Sequence, residues 1–164
     1  MRKMGGVGMT VVTLVAIVVV QGILAYRFQV FRYFDLPLIY CVYYGFTSNK
    51  PARSVFVGSA LGLLQDSLSG APMGTNGFSK TVICYVAAST GLKFNVDQVI
   101  TRTFALFLFT LADGLLVTIL GLTMGAGGRP LASGRLVDLT LSGVFNTLLG
   151  LIMFGYRERY RNAA

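Results

Sequence analysis

The feature that most constrains the fold is a series of long apolar runs joined by short polar connections. No residue from Met4 to Tyr26 is charged, and long apolar runs recur at about 101–124 and 136–156. About 20 apolar residues cross the roughly 30 Å hydrocarbon core of a bilayer. The chain is 54% hydrophobic and only 12% charged, whereas soluble domains carry about 25% charged residues. These features predict an integral membrane protein without a soluble domain.

The spacing of the apolar runs predicts an all-α polytopic membrane protein. We expect residues 1–164 to form one membrane domain, a six-helix transmembrane bundle. Segments three and four are short, so an alternative with four crossings and a re-entrant hairpin formed by these two segments stays open. The charged start resembles a signal peptide, but the length of the first run and the lack of a small-x-small cleavage site favour a retained helix. The six segments lie at about 5–26, 34–48, 53–68, 76–92, 101–124 and 136–156.

The basic residues predict the orientation, because Lys and Arg concentrate in cytoplasmic loops. With a cytoplasmic N-terminus, nine of the 14 basic residues lie inside, four lie outside and Lys80 lies within a segment. This distribution predicts that both termini are cytoplasmic. The inside residues are Arg2, Lys3, Lys50, Arg53, Lys93, Arg102, Arg157, Arg159 and Arg161, and the outside residues are Arg27, Arg32, Arg129 and Arg135.

Composition also excludes several classes of function. The basic residues stand singly or in pairs between apolar runs rather than in a cluster, so no nucleic-acid partner is expected. Cys41 and Cys84 have no metal-ligand spacing, and the chain contains no histidine. We therefore interpret both cysteines as small buried apolar side chains and expect neither a metal nor a cofactor.

The stretch from Gly58 to Tyr85, GSALGLLQDSLSGAPMGTNGFSKTVICY, contains an acid and a base around a Gly/Pro turn. Asp66 falls at the end of segment three and Lys80 in the first turns of segment four. Each charge is unfavourable for the dipole of its own helix, which predicts an ion pair between them. The pair would be structural or would form part of a ligand or partner site. A Lys80 side chain that snorkels outward to the membrane surface is the alternative to pairing. The spacing Gly58-x-x-x-Gly62 predicts the close approach of another helix, within the chain or from a partner.

Asp113 lies near the middle of segment five, where a carboxylate is costly. It shares one helical face with small and polar residues, so that face is expected to point into the bundle. An inward carboxyl that is hydrogen-bonded to its neighbours is favoured over an acid that couples transport to protons. Asn146 lies on a similar stripe of segment six, with Ser142, Gly143, Thr147 and Gly150. It is predicted to form a hydrogen bond with Asp113 across the bundle.

Catalysis is not expected from these residues. Ser79 and Lys80 are adjacent, so on a helix their side chains point about 100° apart and cannot act as a dyad. Ser67 and Ser69 have nothing that positions them beside Lys80. The chain is therefore predicted not to be an enzyme.

The central stretch resembles the signature of the MreD family of bacterial rod shape-determining proteins. The resemblance rests on the run from Gly58 to Gly74, followed by Phe78-Ser79-Lys80 and Tyr85, and is supported by chain length, Asp113, Asn146 and a basic tail. The structural or partner-binding candidates are Gly58, Gly62, Gln65, Asp66, Gly70, Pro72, Gly74, Lys80, Asp113 and Asn146.

The resemblance implies a fold, a location and a set of partners. The expected fold is a bundle similar to the substrate-binding subunits of energy-coupling-factor vitamin transporters, in the bacterial inner membrane. The expected function is that of a non-catalytic scaffold of the cell-elongation (Rod) machinery, which organises lateral peptidoglycan synthesis. The expected partner is MreC, and through it MreB, RodA and the elongation transpeptidase.

A solute-binding membrane subunit of a transporter is the alternative that uses the same bundle. Such vitamin-binding subunits often carry an Ala-x-x-x-Ala motif on their first helix. Here Ala16 is flanked at those spacings by Val12 and Val20, so the motif is missing and the scaffold is favoured. A bound small molecule or lipid is compatible with both interpretations.

Overall fold

The computed structural model describes residues 2–48, 50–70, 72–93, 98–123 and 133–163. The described residues form six α-helices and one short 3-10 helix, without strands. This confirms the predicted all-α class with six helices. In chain order the elements are α1 (Arg2–Arg27), the 3-10 helix η1 (Gln29–Tyr33), α2 (Leu36–Thr47), α3 (Pro51–Ser69), α4 (Thr75–Lys93), α5 (Val99–Thr123) and α6 (Ser133–Ala163).

Local signals explain where several helices begin and end. The Asp35 side chain accepts a hydrogen bond from the Leu38 N–H at 3.0 Å, so it caps the start of α2 and satisfies a donor that the helix leaves free. A proline lies in the first turn of both α2 and α3, where its missing N–H costs nothing. Helix α3 ends at Gly70, whose φ of 66° and ψ of 14° place it in the left-handed region that glycine adopts readily.

Within the described part of the chain, three helical segments are long and apolar enough to cross a bilayer: Met9–Arg27, Val99–Thr123 and Val137–Tyr156. Helix α2 is apolar but has 12 residues, which span about 18 Å at 1.5 Å per residue. Helices α3 and α4 have 19 residues each, long enough for about 28 Å, but they contain more polar residues. The chain is therefore a membrane protein whose central hairpin is more polar than its outer helices.

Helix α4 lies at the centre of the bundle, where it packs against α2, α3 and α5. Cys41 and Cys84 are free and buried, as the sequence predicted. Two apolar clusters connect the helices. One contains Leu14, Val18, Cys41, Val57, Leu61 and Cys84, and the other contains Leu38, Ile39, Val42, Ile83, Leu106 and Phe154.

Candidate functional site

The Asp66 carboxylate caps helix α4 from the last turn of α3. Its Oδ1 accepts from the Asn76 N–H at 3.0 Å and from the Asn76 side-chain amide at 2.8 Å. Its Oδ2 accepts from the N–H groups of Gly74 at 2.9 Å and Gly77 at 3.1 Å. The first N–H groups of a helix have no partner within it and carry partial positive charge. The N-terminus of α4 therefore supplies the compensation that a carboxylate at the end of α3 requires.

The turn between α3 and α4 brings these groups together. Gly70 and Gly74 both have positive φ, 66° and 97°, so each occupies a conformation that other residues adopt only with strain. The Pro72 carbonyl accepts from the backbone N–H of Thr75 at 3.2 Å and from its hydroxyl at 2.9 Å. Gly70, Pro72 and Gly74, which were predicted from the sequence as structural or partner-binding candidates, thus shape the turn. That turn places backbone N–H groups within hydrogen-bond distance of Asp66.

Glycines allow α3 and α4 to pack with backbones in contact. A Cβ on Gly58 would lie 2.5 Å from the Lys80 carbonyl oxygen, and a Cβ on Gly62 would collide with the backbone of Asn76. The Gly58-x-x-x-Gly62 motif therefore packs helices within the chain, rather than presenting a face to a partner. Gln65, on the following turn, keeps a buried side-chain oxygen without a hydrogen-bond partner among the described residues.

Lys80 is fully buried and forms ion pairs with two carboxylates of other helices. Its Nζ lies 2.9 Å from Asp35 Oδ2 and 3.4 Å from Asp113 Oδ2, and it also donates to Asn76 Oδ1 at 3.4 Å. An ammonium group has three N–H donors, and these three acceptors use them all. The other oxygen of Asp113 accepts from the Ser79 hydroxyl at 2.6 Å. We call Asp35, Asn76, Ser79, Lys80 and Asp113 the buried charge cluster.

The ion pair predicted between Asp66 and Lys80 is wrong. The four donors bound to Asp66 all belong to the α3–α4 turn and the start of α4, while Lys80 points to α2 and α5 instead. Asn76 connects the hydrogen bonds around Asp66 with those around Lys80, because its side-chain NH2 group donates to Asp66 and its side-chain oxygen accepts from Lys80. Both charges are compensated, as the dipole argument required, but by different groups.

Asn146 points inward from α6, but the predicted hydrogen bond to Asp113 is also wrong. Its Oδ1 accepts from the backbone N–H of Asp35 at 2.8 Å. The asparagine is fully buried, and its Nδ2 has no partner among the described residues. The inward orientation of Asp113 is confirmed by its exposure of 6%.

The connection between η1 and α2 is fixed from several sides. The Gln21 amide of α1 donates to the Phe34 carbonyl at 3.0 Å and accepts from the Leu36 N–H at 2.9 Å. Phe34 and Tyr33 also contact the Phe145 ring of α6, with ring centroids 5.2 and 6.0 Å apart. Lys80 donates to the Asp35 carboxylate, and the Asp35 N–H donates to Asn146. This segment is therefore bound by α1, α4 and α6.

Asp35 is the principal site residue that sequence reasoning missed. It lies at the start of segment two, and the sequence did not predict its pairing with Lys80. The signal was available: in an antiparallel bundle, the start of α2 lies at the same end as the start of α4. Asn76 and Ser79 were also missed as hydrogen-bond partners of the acids.

The buried charge cluster is suited to joining helices rather than to nucleophilic chemistry. One ammonium group faces two carboxylates, so the fully ionised cluster has a formal charge of −1. Burying such charges is costly unless each is paired and hydrogen-bonded, and here the pairing comes from three different helices. The cluster therefore ties α2, α4 and α5 to one relative position.

Replacing Asp66 with alanine is expected to lower the free energy of unfolding by about 2 kcal/mol, the upper range for loss of a helix cap. The reason is that the N–H groups at the start of α4 lose their acceptor. Unfolding in mixed detergent micelles would measure the effect. Asp138→Ala, which removes an exposed carboxylate of α6, is the control and should change stability by less than about 0.5 kcal/mol. Equal effects from both substitutions would contradict a capping role.

Comparison with known proteins gives one family. The family model described as MreD, rod shape-determining protein MreD, matches residues 1–159, which is nearly the whole chain. Neither the comparison with curated proteins nor the comparison with solved structures gave a match.

Proposed function

Because this chain belongs to the MreD family of rod shape-determining proteins, we propose that it is a non-catalytic membrane scaffold of the cell-elongation machinery. In this proposal it binds MreC in the bacterial inner membrane. Through MreC it connects to MreB, RodA and the elongation transpeptidase, and so helps to organise lateral peptidoglycan synthesis.

The observation that supports a scaffold is the internal use of the buried charges. Lys80, Asp113 and Asp66 all bond to groups of the same chain, and these bonds link successive helices. Charged side chains that bond to groups of the same chain fix the shape of a bundle. A solute-binding subunit instead needs inward polar groups that are available to its ligand. A rigid bundle with an apolar exterior suits a protein that positions other membrane proteins.

Helix α1 is the proposed face for the membrane helix of MreC. Only 11% of its apolar span is buried within the bundle, compared with 22% for the spans of α5 and α6. Val12, Val15, Val19 and Ile23 are among its exposed apolar residues. Packing of a second apolar helix would cover this side through van der Waals contact, which drives association of helices in lipid.

We propose six crossings with both termini in the cytoplasm, on the strength of the charge distribution. Arg129, one of the four basic residues assigned to the outside, lies outside the described residues.

Photo-crosslinking in membranes tests the scaffold and its proposed face together. A crosslinking amino acid at Val15 on α1 is expected to capture MreC, whereas the same probe at Leu108 on α5, which is 50% exposed, should capture at least about fivefold less. Co-purification of the unmodified chain should recover MreC as well. Recovery of an ATPase module with its coupling subunit, and no MreC, would support the solute-binding alternative. MreC capture at both positions alike would retain the scaffold and reject the α1 face.

A further inference from the structure

A polar cavity lies at the turn between α2 and α3, at the opposite end of α3 from Asp66. Its volume is about 370 Å³, and it is lined by Tyr44, Thr47, Ser48, Lys50 and Arg53. The lining residues that the structure describes thus contain three hydroxyl groups and two cationic side chains, and no acid among them. None of these residues belongs to the buried charge cluster or to the Asp66 cap.

The groups left available in this cavity suit a phosphate. The Thr47 hydroxyl is used by the backbone of α2, and the Ser48 hydroxyl bonds to the backbone of Lys50. Lys50 and Arg53 form no ion pair with a described acid. Two cations on the wall of one cavity provide the charge-assisted donors that bind phosphate oxygens, and Tyr44 lines the same cavity. The N-terminus of α3 begins at Pro51 and adds a favourable dipole.

The surface beside the cavity suits the acyl chains of a lipid. Arg53, Phe56, Ala60 and Leu63 lie on one face of α3 by their spacing. Phe56 is 75% exposed and Leu63 is 45% exposed, so an apolar strip continues from the cationic end toward the middle of the helix. A water-soluble phosphate would gain nothing from that strip.

Position along the helix agrees with a lipid headgroup. Helix α3 has 19 residues and a length of about 28 Å, close to the roughly 30 Å thickness of the hydrocarbon core. A cavity at its first turn then lies at the level of the phosphates, and by the orientation proposed above it faces the anionic cytoplasmic leaflet.

From these observations we propose that the polar cavity at the turn between α2 and α3 binds the phosphate group of an anionic phospholipid. The acyl chains of this lipid lie along Phe56 and Leu63. Lys50 and Arg53 contact the phosphate oxygens, and the Tyr44 hydroxyl donates a further hydrogen bond. The site would hold one lipid at a defined position on the bundle. It does not depend on the binding of MreC.

The test is lipid binding to the purified, delipidated full chain in detergent, measured by native mass spectrometry and by titration. Short-chain phosphatidylglycerol is the probe, phosphatidylcholine is the zwitterionic comparison, and inorganic phosphate is the competitor. We expect phosphatidylglycerol to bind at least tenfold more tightly than phosphatidylcholine. Lys50→Gln with Arg53→Gln should weaken its binding by at least about tenfold, because two charge-assisted contacts are lost.

Lys93→Gln is the matched control, since Lys93 is an exposed lysine at the same end of the bundle. It should leave binding within twofold of the unmodified chain. Tyr44→Phe removes one hydroxyl without changing charge and should weaken binding about threefold to tenfold. This variant also carries the test if the double substitution fails to fold.

Three results would overturn the proposal. Equal loss of binding in Lys93→Gln and in the cavity variants would indicate attraction to general surface charge. Unchanged binding in Tyr44→Phe together with no preference for phosphatidylglycerol would reject the cavity as the site. Displacement of the lipid by inorganic phosphate at equal concentration would show that the site binds free phosphate, because the acyl chains would then contribute nothing.

Discussion

Substitution of Lys80 by methionine is expected to lower the free energy of unfolding by about 3–5 kcal/mol, the range for removing one partner of a buried ion pair. Methionine keeps the length of the side chain, but the carboxylates of Asp35 and Asp113 then face each other without a cation. Both acids also lose a hydrogen bond at 2.9 and 3.4 Å. Unfolding in mixed detergent micelles would measure the loss, and Lys93→Met, at an exposed position, should be nearly neutral.

A combined variant separates the charge effect from the loss of packing. Asp35→Asn and Asp113→Asn remove both negative charges, while their Oδ1 atoms can still accept from Leu38 and from Ser79. Added to Lys80→Met, these substitutions should restore at least half of the lost stability, because no unpaired charge remains buried. A Lys80→Met protein as stable as the unmodified chain would contradict the ion-pair geometry. Loss without any recovery in the combined variant would show that the ammonium is needed for its hydrogen bonds rather than for its charge.

Gly62→Ala is expected to destabilise the chain by about 3 kcal/mol, at the upper end of the cost of overpacking. The added methyl would meet the carbonyl group of Asn76 and the Cα of Gly77. These are backbone atoms, so no rotamer change can make room and α4 must move away from α3. That movement would also separate Asp66 from the N–H groups that it caps.

Gly121→Ala is the matched control for this substitution. Gly121 lies within α5, and a Cβ there would meet nothing within 4 Å. Alanine should therefore stabilise the helix by about 0.5–1 kcal/mol, since glycine is the poorer helix former. The melting temperature in detergent would distinguish the two variants. Equal, small changes for both would contradict the close packing of α3 and α4.

The class of protein and the helices follow from the sequence because they depend on local properties. Uncharged, apolar runs such as Met4 to Tyr26 predict membrane helices because they are long enough to cross a bilayer. All six predicted helices are present in the structure. The Gly58-x-x-x-Gly62 spacing indicated a close helix contact, and α4 provides it. The inward faces of Asp113 and Asn146 were also predictable, since a helical period fixes which residues share a face.

What the sequence alone did not determine is which polar group binds which. Local reasoning established that Asp66 and Lys80 each need a partner, because each is unfavourable for the dipole of its own helix. The choice of partner depends on the rotation and depth of every helix relative to its neighbours, and those are fixed by packing across the bundle. The tertiary structure gives Asp66 the N–H groups of α4, which no side-chain pattern marks, and gives Lys80 the acids of α2 and α5.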